Sequence, residues 1–179
     1  MVDTQLRTNK VTNNLVLESM GEIPRETFVP GDHSDFAYID EHLTLSSGRT
    51  MVQPMILARM IQAAEISADA VVLDIGCATG YSSAVLGHIA RAVVALESNV
   101  KLAEMASLNM TALGLDNVVI EKGPVEAGWP DQAPYDVIMI NGACEQVPVE
   151  VFDQLIEGGC LCAVIRGEKW NGVARLWNK

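Results

Sequence analysis

An α/β fold with a doubly wound, mostly parallel sheet follows from three features of the sequence. Short apolar runs alternate with segments of helical period from Ala70 to Ile165. These runs carry no regularly spaced polar face, as expected of strands covered by helices on both sides. A glycine-bearing turn, Gly76-Cys77-Ala78-Thr79-Gly80, follows the first of the runs and opens a helix.

The elements can be justified in chain order. Residues 13–20 read as a short helix, and Pro24, Pro30 and Gly31 break the chain before an extended stretch through Leu45. Pro54 suits the first turn of a helix over 54–65, in which Leu57, Met60, Ile61 and Ala64 share one face. Residues 70–75 form a buried strand, and 80–90 a helix with apolar Tyr81, Ala84, Val85, Ile89 and Ala90. A strand at 93–96 leads into a helix over 99–113, with Leu102, Met105, Ala106 and Met110 on one face and Gly114 as its stop. Strands at 118–120, 135–140 and 160–165 and a helix at 148–156 complete the alternation. One domain is expected, with residues 1–65 as an N-terminal helical and extended cap on the substrate side and 66–179 as the cofactor-binding sheet.

The chain has 179 residues, and 12 basic against 23 acidic side chains give a net charge of −11. That field repels phosphate backbones, so nucleic acid is not an expected partner. No apolar run approaches the roughly 20 residues that cross a bilayer, and the first residues lack a signal core, so a cytoplasmic protein is expected. Cys77, Cys144, Cys160 and Cys162 form no CxxC pair, and His33, His42 and His88 are scattered, so no metal site can be read. Cys160 and Cys162 alternate within an apolar run and should face one side of a strand as buried thiols.

The turn after the first strand carries the chemistry. A dinucleotide fingerprint would place glycines at 76, 78 and 81, but Ala78 and Tyr81 stand at two of these. Asp74 precedes the turn, a poor neighbour for a pyrophosphate and a good one for an ammonium and a sulfonium. S-adenosyl-L-methionine carries both. Glu97 ends the second strand, where a carboxylate can accept hydrogen bonds from both ribose hydroxyls.

Several segments extend this reading along the chain. Ile23-Pro24-Arg25-Glu26-Thr27-Phe28-Val29-Pro30, Ala37-Tyr38-Ile39-Asp40, Gly128-Trp129-Pro130 and Ala133-Pro134-Tyr135-Asp136 resemble motifs of the protein-L-isoaspartate O-methyltransferase family. Gln154-Leu155-Ile156-Glu157-Gly158-Gly159 is similar to that family's approach to the fifth strand. The resemblance implies a Rossmann-like fold, S-adenosyl-L-methionine as cofactor, and isoaspartyl-containing proteins or peptides as substrate. It implies Asp74, Gly76, Cys77, Ala78, Thr79, Gly80, Glu97, Ser98, Gly123, Pro124 and Asn141 as cofactor contacts, and Thr50, Val52 and Gln53 as the catalytic segment.

Three departures from the family pattern bear on function. The loop Ser46-Ser47-Gly48-Arg49-Thr50-Met51-Val52-Gln53-Pro54 carries Val52 at the family's serine, and Arg49 there reads as a solvated surface charge, with attraction of a substrate carboxylate as the alternative. Gly123-Pro124-Val125 lacks a carboxylate expected near adenine, and Asn141-Gly142 replaces a small pair after the fourth strand. A methyltransferase for another carboxylate or small molecule, and a cofactor-binding module without strong catalysis, remain as alternatives. Residues 172–179 alternate like one strand of an antiparallel hairpin, which is expected to be incomplete. They are free to fold back beside the fifth strand, to stay disordered, or to pair with a second molecule.

Overall fold

The computed structural model describes residues 1–167 and 172–179. Two short strands, β1 (Leu43–Thr44) and β2 (Thr50–Met51), form an antiparallel ribbon of their own. The main sheet has six strands: β3 (Val71–Ile75), β4 (Ala92–Glu97), β5 (Val118–Lys122), β6 (Tyr135–Cys144), β7 (Leu155–Arg166) and β8 (Gly172–Asn178). Their spatial order is β5-β4-β3-β6-β7-β8. The first five are parallel, and β8 runs antiparallel to β7. Chain order reverses at β3, which pairs with β4 on one side and β6 on the other. In open α/β sheets that reversal opens a crevice at the carboxyl ends of the strands.

Alternation along the strands feeds two cores. Val72, Val93 and Ala95 point into one, packed with residues of α1 (Asn14–Glu22), α2 (Pro54–Ala63), α3 (Tyr81–Gly87) and α4 (Val100–Leu113). Leu73, Ile75, Val94 and Leu96 point into the other, which is closed by Val151 and Phe152 of α5 (Val149–Asp153) with Val125, Trp129 and Ala133. Asn99 caps α4 by accepting the Lys101 and Leu102 amides, and Gly114 ends it in the left-handed region, as its position predicts. Cys160 and Cys162 both lie in the first core. No described helix is long and apolar enough to cross a membrane.

The structure corrects several expectations. The stretch before Leu45 is not extended: it folds as 3₁₀ turns at Arg25–Phe28 and Gly31–Phe36, then enters the two-residue ribbon of β1 against β2. Met105 leaves the apolar face of α4 and is exposed, while Leu102, Ala106 and Met110 are buried. The helix expected at 148–156 is only five residues long, because Leu155 already pairs with Tyr135 in the sheet. Gly158 and Gly159 therefore lie inside β7, where a Cβ at Gly159 would sit 2.8 Å from the Asp136 carbonyl. Of the three fates open to residues 172–179, folding back is the one observed: β8 pairs with β7 from Arg166↔Gly172 to Cys160↔Asn178.

Candidate functional site

A cavity of about 470 Å³ opens at the strand-order reversal, within the usual size range of small-molecule sites. Gly48, Arg49 and Thr50 form one wall, and Ile75, Gly76, Asn141 and Gly142 the floor. β6 slips register against β7 between Met139 and Ala143, while Ile140 stays paired with Ile75 of β3, and Asn141 just beyond that pair reaches Asp74 of β3. A second, much smaller cavity adjoins it, lined by Thr50, Val52, Cys77, Ala78, Thr79, Tyr81, Ser82 and Asn141 among others.

Asp74 lies beneath this floor with no solvent exposure. Its Oδ2 accepts hydrogen bonds from Ser82 Oγ at 2.7 Å and Ser83 Oγ at 2.6 Å, and its Oδ1 accepts from Asn141 Nδ2. All three donors are neutral. Burial therefore dominates and pushes the carboxyl pKa up to about 6, against the pull of the three donors and with a smaller push from the nearby Glu97 charge.

Glu97 is equally hidden but differently satisfied. Its Oε2 accepts the Ala78 amide at 2.8 Å and lies 3.0 Å from Arg49 Nη2; its Oε1 accepts the Asn99 amide at 2.9 Å. The same Nη2 donates to the Gly76 carbonyl at 2.9 Å. Arg49 is thus a partly buried ion-pair partner, contrary to the solvated role its sequence position suggests. Its guanidinium covers Glu97, which is absent from the cavity lining.

The turn is tightly closed. Gly76 has φ +77°, and a Cβ there would lie 2.8 Å from Arg49 Nη2 and 3.0 Å from the Asn141 carbonyl, so glycine is required. Ala78 takes φ +53° without being glycine. The Gly76 and Cys77 amides both donate to the Leu96 carbonyl. Thr79 turns its hydroxyl to the Phe28 carbonyl, tying the turn to the N-terminal segment. The Cys77 thiol is buried and its pKa raised by desolvation.

Other sequence-predicted residues stand apart. Gln53 is the residue just before α2, where its main-chain N–H donates to His42 Nδ1, and it lines neither cavity. Ser98 reaches Glu97 Oε1 only at 3.4 Å. Gly123 is packed under Trp129, and Pro124 precedes Val125 and Glu126, which do line the large cavity. Sequence reasoning missed Ser82 and Ser83, and it missed the pairing of Arg49 with Glu97. The serine pair had a signal: two hydroxyls in the first turn of a helix can reach back to a carboxylate before the turn.

Comparison with known proteins places this geometry. The family model described as Protein-L-isoaspartate(D-aspartate) O-methyltransferase (PCMT) matches residues 1–177. The chain belongs to that family. A protein-L-isoaspartate O-methyltransferase of Synechococcus sp. (strain JA-2-3B'a(2-13)) is 44% identical over 161 residues, covering 90% of this chain and 66% of that protein. One from Koribacter versatilis (strain Ellin345) is 41% identical over 159 residues, covering 89% and 72%. A solved protein-L-isoaspartate O-methyltransferase superposes with a TM-score of 0.86 at 29% identity, over 100% of this chain and 60% of that one. The chain therefore spans about two-thirds of the length of the relatives it matches. A Plasmodium falciparum structure described as a β-aspartate methyltransferase in complex with S-adenosyl-L-homocysteine shares the fold, with a TM-score of 0.79 at 19% identity over 97% and 86%. Against the family pattern, the Pro-Arg-Glu segment has a clear structural use here. Arg25 is fully buried and donates to the Ala37 carbonyl and, at 2.7 Å, to the carbonyl of Val52.

Proposed function

We propose that the chain binds S-adenosyl-L-methionine across the carboxyl ends of β3, β4 and β6 and transfers its methyl group to the carboxylate of isoaspartyl residues in proteins. The observation that carries this is Glu97, a buried carboxylate at the end of β4 beside a cavity of ligand size. Family membership supports the substrate class. The residues fit the cofactor in three respects: Glu97 is an acceptor for ribose hydroxyls, Gly76 leaves the close approach that a Cβ would fill, and Asp74 supplies negative charge beneath the floor. Val125 and Glu126 would flank the adenine.

When bound, the cofactor supplies an electrophilic methyl group that a carboxylate attacks without a general base. The chain's task is then placement in a dry site. Thr50 lines both cavities, while Val52, held through its carbonyl by Arg25, has no side-chain donor to offer. Asn141 and Gly76 wall the space between. Residues 1–65 serve as the substrate-side wall in this reading. Free Cys77, Cys144, Cys160 and Cys162 suit a reducing cytoplasm.

Calorimetry with S-adenosyl-L-homocysteine on the unsubstituted protein and Glu97→Ala tests the cofactor assignment: binding to the first and loss in the second are expected. Equal affinity would remove Glu97 from the site. Methyl transfer to an isoaspartyl peptide, compared with its aspartyl twin, tests the substrate. The missing hydroxyl at Val52 favours one second reading, a different carboxylate acceptor, and activity on neither peptide by a cofactor-binding protein would select it.

A further inference from the structure

We propose that Arg49 is the residue that receives the acceptor's carboxylate, and that it is held on Glu97 until the cofactor's ribose displaces it, so that cofactor must bind before acceptor. This rests on the cofactor reading above.

The acceptor capacity of Glu97 is already full. A carboxylate offers about four lone-pair sites. Here they take the Ala78 amide, the Arg49 guanidinium, the Asn99 amide and, more distantly, the Ser98 hydroxyl. Two of these donors are main chain at the strand end and the turn, fixed by the fold. Arg49 comes from a separate loop, 48 residues earlier in the chain, and lies across both Glu97 and the Gly76 carbonyl. Ribose hydroxyls and the guanidinium therefore compete for the same carboxylate.

The loop is built to let the side chain move alone. Leu45 N–H donates to the Arg49 carbonyl at 2.7 Å, and Thr44 pairs with Thr50, so the backbone at Arg49 is tethered. The side-chain torsions remain free to swing the guanidinium away from Glu97. An arginine stays charged at any working pH, and once displaced it needs another anion. It already lines the large cavity, whose other charged lining groups are Arg166 and Glu126. A carboxylate acceptor entering that cavity meets a planar donor pair suited to bidentate binding. It also meets local positive charge in a chain of net −11, which otherwise repels acids. Val52 leaves that role open.

One variant should then move two affinities in opposite directions. Arg49→Gln should bind S-adenosyl-L-homocysteine roughly tenfold more tightly, because its competitor for Glu97 is gone. The same variant, saturated with S-adenosyl-L-homocysteine, should bind an isoaspartyl peptide at least about tenfold more weakly. Arg49→Lys should fall between, and it serves if Arg49→Gln does not fold. The unsubstituted protein should bind the peptide at least about tenfold more tightly with S-adenosyl-L-homocysteine present than without it. Tighter cofactor binding with unchanged peptide affinity overturns the carboxylate role. Weaker cofactor binding by Arg49→Gln makes Arg49 part of the cofactor site and overturns the competition. Peptide binding that ignores the cofactor, or no peptide binding to the complex, also overturns the proposal. If Glu97→Ala abolishes cofactor binding while Arg49→Gln matches the unsubstituted protein, the cofactor reading stands and this one falls. If the unsubstituted protein and both variants bind no S-adenosyl-L-homocysteine, both fall together.

Discussion

Asp74 and Glu97 stand at the carboxyl ends of neighbouring strands and are equally hidden from water, yet the fold treats them differently. Asp74 is surrounded by two serine hydroxyls and an amide, neutral groups that reduce its burial cost without cancelling it. Glu97 has a guanidinium against it as well as two main-chain amides. A buried acid with neutral donors can be left alone by ligands and remain stable. Glu97 is held by a cation from a separate loop, the contact that the ordered-binding proposal would have the cofactor displace.

The largest effect should come from removing the paired acid. Glu97→Ala leaves the Ala78 and Asn99 amides without their acceptor and Arg49 without its counter-charge, and should cost about 3 kcal/mol in urea denaturation. A loss below about 1 kcal/mol would show that water satisfies these groups easily.

Asp74→Asn should differ in its pH dependence. With a folded pKa of about 6 against 3.8, Asp74 keeps its proton in the folded state over a range where the unfolded chain has lost it. Its contribution to stability is complete below about pH 4 and is lost as pH rises through about 6. The neutral amide introduced by Asp74→Asn has no such loss, so urea midpoints from pH 4 to pH 7 should move in the variant's favour, by up to about 3 kcal/mol. Parallel pH profiles would mean that the carboxyl is ionised throughout.

Val52→Ser should act on rate more than on stability. If its added hydroxyl orients the acceptor's carboxylate, turnover on an isoaspartyl peptide should rise about tenfold, worth about 1.4 kcal/mol of transition-state stabilisation, at nearly constant cofactor affinity. A flat response in a cofactor-binding protein would point to another acceptor. Ser83→Ala removes one of three donors from Asp74 and should cost about 1 kcal/mol at pH 7 and less at pH 5, where the carboxyl is mostly protonated. An equal loss at both values would assign the effect to packing.

The contrast between these acids also marks how far the sequence could be read. Glu97 and the turn from Gly76 to Gly80 were legible because strand, turn and helix are contiguous and each has a local period or a required glycine. The existence of β3, β4 and β5 as strands of a parallel sheet followed from the same alternation. What surrounds the acids was not legible. Arg49 meets Glu97 across 48 residues, and Asn141 meets Asp74 across 67, beside a register slip of β6 against β7 that no residue pattern announces. The 3₁₀ turns of residues 25–36 lack periodicity altogether, so proline breaks alone suggested an extended chain. At Gly158-Gly159 a turn-like pair hid a strand, because Gly159 serves the close pass of β7 against Asp136, while Gly158 takes φ +80°.

One side chain on α2 ties the beginning of the chain to all of this. Gln62 accepts the amides of Thr12 and Asn13 at 2.7 and 3.0 Å and donates to the Lys10 carbonyl at 3.1 Å. Leu6 and Val11, on the segment it anchors, are buried in the main core. The opening residues therefore share a local unfolding unit with α2 rather than fraying as a tail. The first residue of that helix, Pro54, directly follows the loop that carries Arg49 and Val52, and Asp40 holds the Met55 amide at 3.2 Å. In hydrogen exchange, amides at residues 11–17 should become protected and exposed together with those of α2. Ligand that orders the crevice should slow exchange there, far from any atom it touches.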